Sequence, residues 1–278
     1  MKTYTDTELK EILVKHSLYI KTGGAEGVRA DFNHADLIGA DFSDADLTGT
    51  NFSNAYLTYA NFRGANLINA IFRGANLTYA NFRGADLRDA NCSSAYFRYA
   101  NLTHADFSGA DLRDADLRNA KCIANFRDAN LTNANFSDTY SPSANFSNAN
   151  LNNADFSNAN SYCTNLTNAN CSNANFTHAD FSHADLRNAK LSHANFNNAN
   201  LTYADLRNAK LSFADFRDAD FSDANFSDAD LNNADLTNVN FSGANFISAN
   251  LTVANLRGIV ISPEQRDDVL KALNIKVI

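Results

Sequence analysis

Large apolar residues recur every five positions along most of this chain, each with alanine two positions before it. The pattern runs from Phe32 to Cys122 for 19 repeats, loses one residue near Ile123, and continues from Phe126 to Leu256 for 27 more. With the central apolar position called i, 41 of the 46 repeats carry Phe or Leu at i, and 42 carry Ala at i−2. A fixed period of five indicates a repeat architecture rather than an amphipathic helix or an ordinary strand.

The five-residue units are themselves grouped into a longer repeat of 20 residues. The phrase LTYANFRGA occupies residues 57–65 and returns unchanged at 77–85, and ADLRNAKLS does the same at 184–192 and 204–212. Four units in every 20 residues predict a coil with four sides. Because i−2 and i point to the same face of extended backbone, Ala and Phe or Leu are predicted to fill the interior.

Phe and Leu alternate strictly at i over the first twelve repeats. In a four-sided coil this order places Phe on two opposite sides and Leu on the other two. The first residues of the predicted core are Phe32, Leu37, Phe42, Leu47, Phe52, Leu57, Phe62 and Leu67.

The N-terminal end does not follow the repeat and is predicted to be helical. Residues 5–20 place apolar residues and His16 at helical spacing, with Thr5 or Asp6 as the N-cap. The glycines of TGGAEG, at 22–27, suit the end of that helix.

The C-terminal end is also predicted to be helical, because Ser262 is a suitable N-cap and Pro263 suits the first helical position. A helix over about 263–273 would place Val269, Leu270 and Leu273 on one face. An alternative role for this helix, or for the tail NIKVI, is a homodimer contact. The predicted domains are an N-terminal helical cap at 1–28, a repeat region at 29–261, and a C-terminal helical cap and tail at 262–278.

The five-residue units resemble those of the pentapeptide-repeat family, whose pattern is A(D/N)LXX or A(D/N)FXX. Examples are ADLTG at 45–49, ANFRG at 60–64 and ADLRN at 204–208, and such units cover residues 30–258 almost without a gap. The resemblance implies an all-β solenoid, a right-handed quadrilateral β-helix of about 11–12 coils, here with short α-helical caps at both ends. The handedness comes from the family alone.

Composition narrows the classes of partner. The formal charge is −8, with 31 acidic and 23 basic residues, which argues against direct binding to nucleic-acid phosphates. Inside the repeat every acid is Asp, a side chain that hydrogen-bonds neighbouring backbone in turns as Glu does not. No apolar run approaches the length of a membrane helix and no signal peptide is evident, so we expect a cytoplasmic protein without a membrane partner.

Side chains that carry out catalysis or bind metals form no recognisable pattern. Three of the four cysteines occupy i, and their spacings fit no zinc site: Cys92, Cys122, Cys163 and Cys171. Five of the six histidines occupy i+2 and are predicted to point outward: His34, His104, His178, His183 and His193. The last three project from different sides, which argues against a shared metal. We therefore expect no enzyme activity, no cofactor and no metal.

One column of exposed residues is distinctive. Tyr59, Tyr79 and Tyr99 are 20 residues apart, so they are predicted to stack along one corner, and Arg63 and Arg83 form a parallel pair one side later. Exposed aromatic residues beside arginine are typical of binding hot spots. Stacking of like side chains also stabilises parallel coils without any partner. Both explanations remain open from the sequence.

A local irregularity is predicted near residues 121–164. Allowing for the missing residue, Cys122, Ser141 and Ser161 occupy one side of three successive coils, where Phe stands elsewhere. Pro142 also removes a backbone donor there. We expect a pinch or bulge in the coil, either as a binding niche or as relaxed packing.

The function predicted from these features is a non-enzymatic solenoid that presents a surface to an unidentified protein partner. The resemblance supplies an alternative, because some pentapeptide-repeat proteins act as DNA mimics that inhibit DNA gyrase or protect it from quinolones. Such mimicry needs negative charge running along a rod, whereas Asp residues here form belts around it: Asp31, Asp36, Asp41 and Asp46. Gyrase is therefore the less favoured partner.

Overall fold

The computed structural model describes residues 1–274. The chain forms two compact units, Met1–Asn135 and Phe136–Ile278. Positions 275–278, which hold most of the tail predicted as an alternative dimer contact, lie outside the described residues. Within residues 1–274, no helix is long and apolar enough to cross a bilayer.

In the first unit, each side of the coil lies against the side 20 residues later. Parallel bridges join the i−1 positions of successive coils, beginning with Asp31 and Asn51. Backbone hydrogen bonds reinforce these bridges, as where the Phe62 N–H donates to the Asn81 carbonyl at 2.7 Å. A register of 20 residues gives four repeats in each turn of the coil.

Each side ends in a turn whose third residue, at i+2, has a positive φ, such as 60° at Tyr59. A positive φ at the third residue alone is the pattern of a type II turn. Asn or Asp at i−1 stabilises the turn by accepting the N–H of i+1: Asn61 accepts from Arg63 at 3.2 Å, and Asp41 from Ser43 at 3.0 Å. This short-range hydrogen bond explains the preference for Asp over Glu in the repeat.

Stacked aromatic rings fill the interior of the first unit. Phe62 stacks on Phe42 and Phe82 at centroid distances of 5.1 and 4.8 Å. It also meets Phe52 and Phe72 edge to face at 5.6 Å. The predicted core residues are at most 3% exposed: Phe32, Leu37, Phe42, Leu47, Phe52, Leu57, Phe62 and Leu67.

The N-terminal segment covers the first coil. Helix α1 (Asp6–Lys21) begins with a capping box in which Thr5 and Glu8 each bond the other's backbone. Before it, strand β1 (Lys2–Thr3) pairs in parallel with β2 (Ala35–Asp36). This pairing, which sequence reasoning missed, satisfies part of the open edge of the first coil.

His16 joins α1 to the repeat region and is fully buried. Its Nδ1 accepts the Ala30 N–H at 3.1 Å, and its Nε2 lies 3.2 Å from the Thr50 Oγ1. Because Nδ1 is an acceptor, the neutral ring carries its proton on Nε2, which donates to Thr50. Burial lowers the pKa of His16 below its ordinary value, and Arg29 acts in the same direction while Asp46 opposes it.

Acidification is expected to destabilise the first unit through His16. The unfolded chain binds a proton near the ordinary pKa of 6.5, whereas the folded chain resists it, so the free energy of unfolding falls as pH drops below about 6.5. Urea denaturation of the parent and of His16→Gln between pH 7.5 and 5 would measure the effect, with the variant showing a flatter pH dependence. His104→Gln, at an exposed position, is the control. Equal pH slopes for parent and His16→Gln would contradict this role.

The repeat that is one residue short lies in the first unit. After Cys122 the usual turn is shortened at Ile123 and Ala124, and the pattern resumes at Phe126. The bridges shift from a spacing of 20 residues to 19, as between Asp106 and Asn125. The predicted irregularity therefore exists at this corner.

The second unit is regular where a pinch or bulge was predicted. Bridges 20 residues apart begin with Tyr140 and Asn160, so the prediction is wrong for residues 136–164. Ser141 and Ser161 bond each other through their hydroxyls at 2.7 Å inside the core. Pro142 occupies i+1, whose N–H elsewhere bonds to Asn or Asp at i−1. Since Tyr140 offers no such acceptor, the proline removes no bond.

The C-terminal segment is a 3₁₀ helix, Pro263–Gln265, followed by helix α2 (Arg266–Ala272). Its buried residues are Gln265, Val269 and Ala272, whereas Leu270 and Leu273 are only half-buried. The predicted apolar face was therefore partly wrong, because the tighter first turn and a buried glutamine change which side faces the coil.

Gln265 satisfies backbone groups at the last turns of the repeat. Its Nε2 donates to the Phe241 and Ala244 carbonyls at 2.8 and 2.5 Å. Its Oε1 accepts the Ser262 N–H at 2.6 Å and the Gly243 N–H at 3.2 Å. The side chain thus acts as the hydrogen-bonding partner that another coil supplies elsewhere.

Candidate partner-binding surface

The predicted tyrosine ladder is present on the first unit. Tyr59 and Tyr79 stack with centroids 5.0 Å apart and planes 6° from parallel, and Tyr79 and Tyr99 stack at 4.9 Å and 12°. The three side chains are 62%, 46% and 49% exposed. Backbone hydrogen bonds hold the ladder in register, because the Tyr59 N–H donates to Thr78 and the Tyr79 N–H to Arg98.

Two more tyrosines lie on the same side of the coil. Parallel bridges join Tyr56 to Asn76 and Asn76 to Tyr96, at the i−1 positions of the repeats that carry the ladder at i+2. Both tyrosines are exposed. The side therefore presents five tyrosines, which we call the tyrosine face: Tyr56, Tyr59, Tyr79, Tyr96 and Tyr99.

A groove of about 520 Å³ opens on the tyrosine face. Its walls include Tyr56 and Tyr96, and between them Asn76, Thr78 and Gly74 leave a depression. Arg98, His34, Asn54 and Ala55 complete the lining. The volume lies within the range of about 300–1,000 Å³ typical of ligand sites.

The groove presents N–H groups. Asn76 Oδ1 accepts the Thr78 N–H at 3.1 Å and its hydroxyl at 2.7 Å, whereas no described residue accepts from Asn76 Nδ2. Arg98 Nε donates to Asp116 Oδ2 at 2.5 Å, which fixes the guanidinium and leaves its terminal nitrogens without a protein acceptor in the described chain.

Arg63 and Arg83 lie on the next side of the coil rather than on the tyrosine face. They are exposed and in register, with the Gly64 N–H bonded to the Arg83 carbonyl at 3.0 Å. Neither forms an ion pair within residues 1–274, because their i−1 neighbours are Asn61 and Asn81 rather than aspartates. The structure therefore places the two arginines beside the ladder, one corner away.

Other arginines are paired within their own repeat. Asp86 binds Arg88 and Asp111 binds Arg113, each pair at 2.6 Å. The hydrogen bonds from these arginines are the main cause that lowers the pKa of both carboxyl groups below their ordinary value. These aspartates are therefore balanced by an arginine of the same repeat.

Cysteine and histidine form no site in the described residues. All four cysteines are free, and three are buried, where burial raises the pKa of their thiols: Cys92, Cys122 and Cys171. His183 stacks on Tyr203 and His193 on Phe213, at 4.9 and 5.0 Å. Within residues 1–274, no group of three or more His, Cys, Asp and Glu is placed to hold a metal ion.

Sequence reasoning missed the groove and its lining residues Tyr56, Tyr96 and Arg98. A signal was present, because both tyrosines stand at i−1, where Asn or Asp is usual, and they are 40 residues apart. Only the register of the coils shows that they border one depression.

Comparisons with known proteins agree with the five-residue pattern. The family model for Pentapeptide repeats matches residues 28–58, 55–91, 90–121, 124–160, 164–192, 184–223 and 224–262. The search of curated proteins finds no match.

Several solved structures are similar to this chain. HetL, a pentapeptide repeat protein involved in heterocyst differentiation regulation from the cyanobacterium Nostoc sp., is 25% identical, with 93% of this chain and 97% of HetL covered and a TM-score of 0.36. A pentapeptide repeat protein from the thylakoid lumen of Arabidopsis thaliana is 38% identical, over 39% of this chain and 69% of its own, with a TM-score of 0.29.

A trypsin-treated form of QnrB1, a plasmid-mediated fluoroquinolone resistance protein, is 19% identical. The match covers 75% of this chain and 97% of QnrB1, with a TM-score of 0.51, and supports a common fold. The matches to the family model extend over most of residues 28–262, the same part of the chain in which the coils have the 20-residue register. The chain therefore belongs to the pentapeptide-repeat family.

Proposed function

We propose that this chain is a non-enzymatic binding protein whose tyrosine face binds a protein partner. The observation that carries the proposal is the concentration of five exposed tyrosines and a groove on one side of the first unit. Tyrosine and arginine are the residues most often found at the energetic centres of protein interfaces. Arg98, held by Asp116, adds a fixed positive group to this surface.

The rigidity of the backbone supports this proposal. Backbone hydrogen bonds to the next coil hold the main chain of each ladder tyrosine, and stacking restricts its ring, so less side-chain freedom is lost on binding. A regular coil with aromatic residues on one side offers a partner a preformed surface. On other sides, carboxylates such as those of Asp86 and Asp111 accept hydrogen bonds from turn N–H groups and arginines.

Replacing Tyr79 by alanine is expected to weaken capture of the partner at least tenfold, because the middle ring of the ladder is removed. Immobilised parent and variant would be incubated with extract from the source cells, and the retained proteins compared quantitatively by mass spectrometry. Tyr203→Ala is the matched control, since Tyr203 is exposed and stacked on His183 in the second unit.

A protein recovered by the parent and Tyr203→Ala, but lost with Tyr79→Ala, would support binding through the tyrosine face. Equal recovery of all proteins by Tyr79→Ala and the parent would contradict it. Circular dichroism of the two variants would establish that both remain folded.

The alternative function is a DNA mimic that acts on gyrase. The charge pattern disfavours it, because several aspartates are paired with arginines two residues later, including Asp185 with Arg187 and Asp215 with Arg217. The net charge of −8 is also spread over 278 residues. Purified protein at micromolar concentration would be tested for altered gyrase supercoiling or quinolone poisoning, and either effect would favour the mimic over the proposed function.

The scaffold proposed for this function is a right-handed quadrilateral β-helix of about 11–12 coils with short helical caps. The 20-residue register and the two terminal helices support it. A cytoplasmic location and a homodimer through an end cap stay predictions.

A further inference from the structure

Rings on neighbouring coils of the tyrosine ladder lie about one stacking distance apart. Tyr79 lies between Tyr59 and Tyr99 with centroid distances of 5.0 and 4.9 Å and nearly parallel planes. Two rings separated by two coils therefore leave room for one ring between them. In the ladder, the chain supplies that ring itself.

The groove also has two tyrosines two coils apart, with no ring on the coil between them. Tyr56 and Tyr96 are two coils apart, each bridged to Asn76, and all three line the groove. Asn76 is shorter than tyrosine, so the coil between Tyr56 and Tyr96 supplies no ring to the groove. We propose that this slot between Tyr56 and Tyr96 binds one aromatic side chain of a protein partner, which completes a three-ring stack.

The polar groups of the slot select the kind of ring. Asn76 Nδ2 would ordinarily donate to Asn or Asp one coil earlier, as Asn61 does to Asp41 at 2.9 Å. The position one coil before Asn76 is Tyr56, so this donor remains available inside the groove. With the terminal nitrogens of Arg98 it favours a ring that carries an acceptor oxygen. Tyrosine of a partner fits both the stacking walls and the donors.

The net negative charge of the chain favours a protein over a nucleic acid as the source of the bound ring. A nucleic-acid base would also stack between two tyrosines. The formal charge of −8 would repel its phosphates, and the slot contains one guanidinium that is already bound to Asp116. A protein side chain carries no such penalty. The slot is therefore assigned to a protein tyrosine.

This inference rests on the proposed function of the tyrosine face, and its test is independent of the unknown partner. The probe is N-acetyl-tyrosinamide, titrated into the full chain while NMR follows the side-chain amide of Asn76. We expect saturable binding with a millimolar Kd, as suits a ligand of this size. A shift that does not saturate would overturn the assignment.

Asn76→Tyr is the decisive variant, because its own ring would occupy the slot. Tyrosine is tolerated at this repeat position, as Tyr56 and Tyr96 show. We expect at least tenfold weaker binding of the probe and a higher Tm than for Asn91→Tyr, the matched control. Asn91 Oδ1 accepts the Ser93 N–H and hydroxyl, as Asn76 Oδ1 does from Thr78. In the control the new ring stands one coil from Ile71 and Asp111, and Asp89 rather than a tyrosine precedes it at the corner.

Binding of the probe to Asn76→Tyr as tightly as to the parent would overturn the assignment. So would tighter binding of a short single-stranded oligothymidylate than of the probe. Probe binding that is lost in Asn76→Tyr, together with unchanged partner capture by Tyr79→Ala, would retain the slot but reject the wider proposed interface. Unchanged probe binding by Asn76→Tyr, together with loss of partner capture by Tyr79→Ala, would retain the interface and reject the slot.

Discussion

Replacing Phe62 by alanine is expected to lower the free energy of unfolding by about 3–5 kcal/mol. Phe62 is fully buried, and its ring contacts four other phenylalanines, two by stacking and two edge to face. The hydrogen-bonded coils above and below prevent the backbone from collapsing into the space left behind. Chemical denaturation followed by circular dichroism would measure the loss.

Phe213→Ala is the matched control for this prediction. Phe213 is the one phenylalanine outside the i positions, it is 53% exposed, and it stacks on His193. Its replacement removes the same atoms from a site in contact with solvent, so we expect a much smaller loss. Comparable losses for the two variants would contradict the assignment of Phe62 to a tightly packed interior.

Enlarging Ala65 to leucine is expected to cost about 1–3 kcal/mol by overpacking the same interior. Ala65 is fully buried, and its carbonyl accepts the Asp86 N–H at 3.0 Å, so the backbone has little freedom to move outward. Thermal unfolding monitored by calorimetry would report this change as a lower Tm.

Ala45→Leu tests whether the interior causes that effect. Ala45 occupies the same column one coil earlier, and its carbonyl makes the equivalent bond to Asn66, but it is only half-buried. A longer side chain there has access to open space, so we expect a smaller decrease in Tm. An equal or larger decrease for Ala45→Leu would show that interior crowding does not control the tolerance of this position.

The buried positions were predictable because burial in a coil repeats with the period of the sequence. Phe62 and Ala65 differ in size but stand at fixed places in a five-residue unit, and the 20-residue phrases set the register between coils. The role of Asp and Asn in the turns was predictable for the same reason. It depends on atoms two residues apart, as in the bond from the Ser43 N–H to Asp41.

Contacts between distant positions were less predictable. Gln265 bonds backbone groups more than 20 residues earlier, and nothing in its local sequence indicates them. Tyr56 and Tyr96 were overlooked because each alone is an outward residue on a polar surface. The groove depends on what stands between them, where Asn76 is shorter than a tyrosine.

The three ladder tyrosines have left-handed backbone conformations, which tyrosine adopts less readily than glycine or asparagine. Within the first unit their column begins with Gly39 and ends with Asn119, both well suited to a left-handed conformation, yet Tyr59, Tyr79 and Tyr99 hold φ values of 60°, 61° and 58°. Left-handed backbone costs about 1–2 kcal/mol for each residue with an ordinary side chain. Two stacked pairs contribute about 0.5–1.5 kcal/mol each, which does not exceed that cost. Backbone conformation alone would favour glycine or asparagine at these three positions, which agrees with the proposal that the rings serve binding.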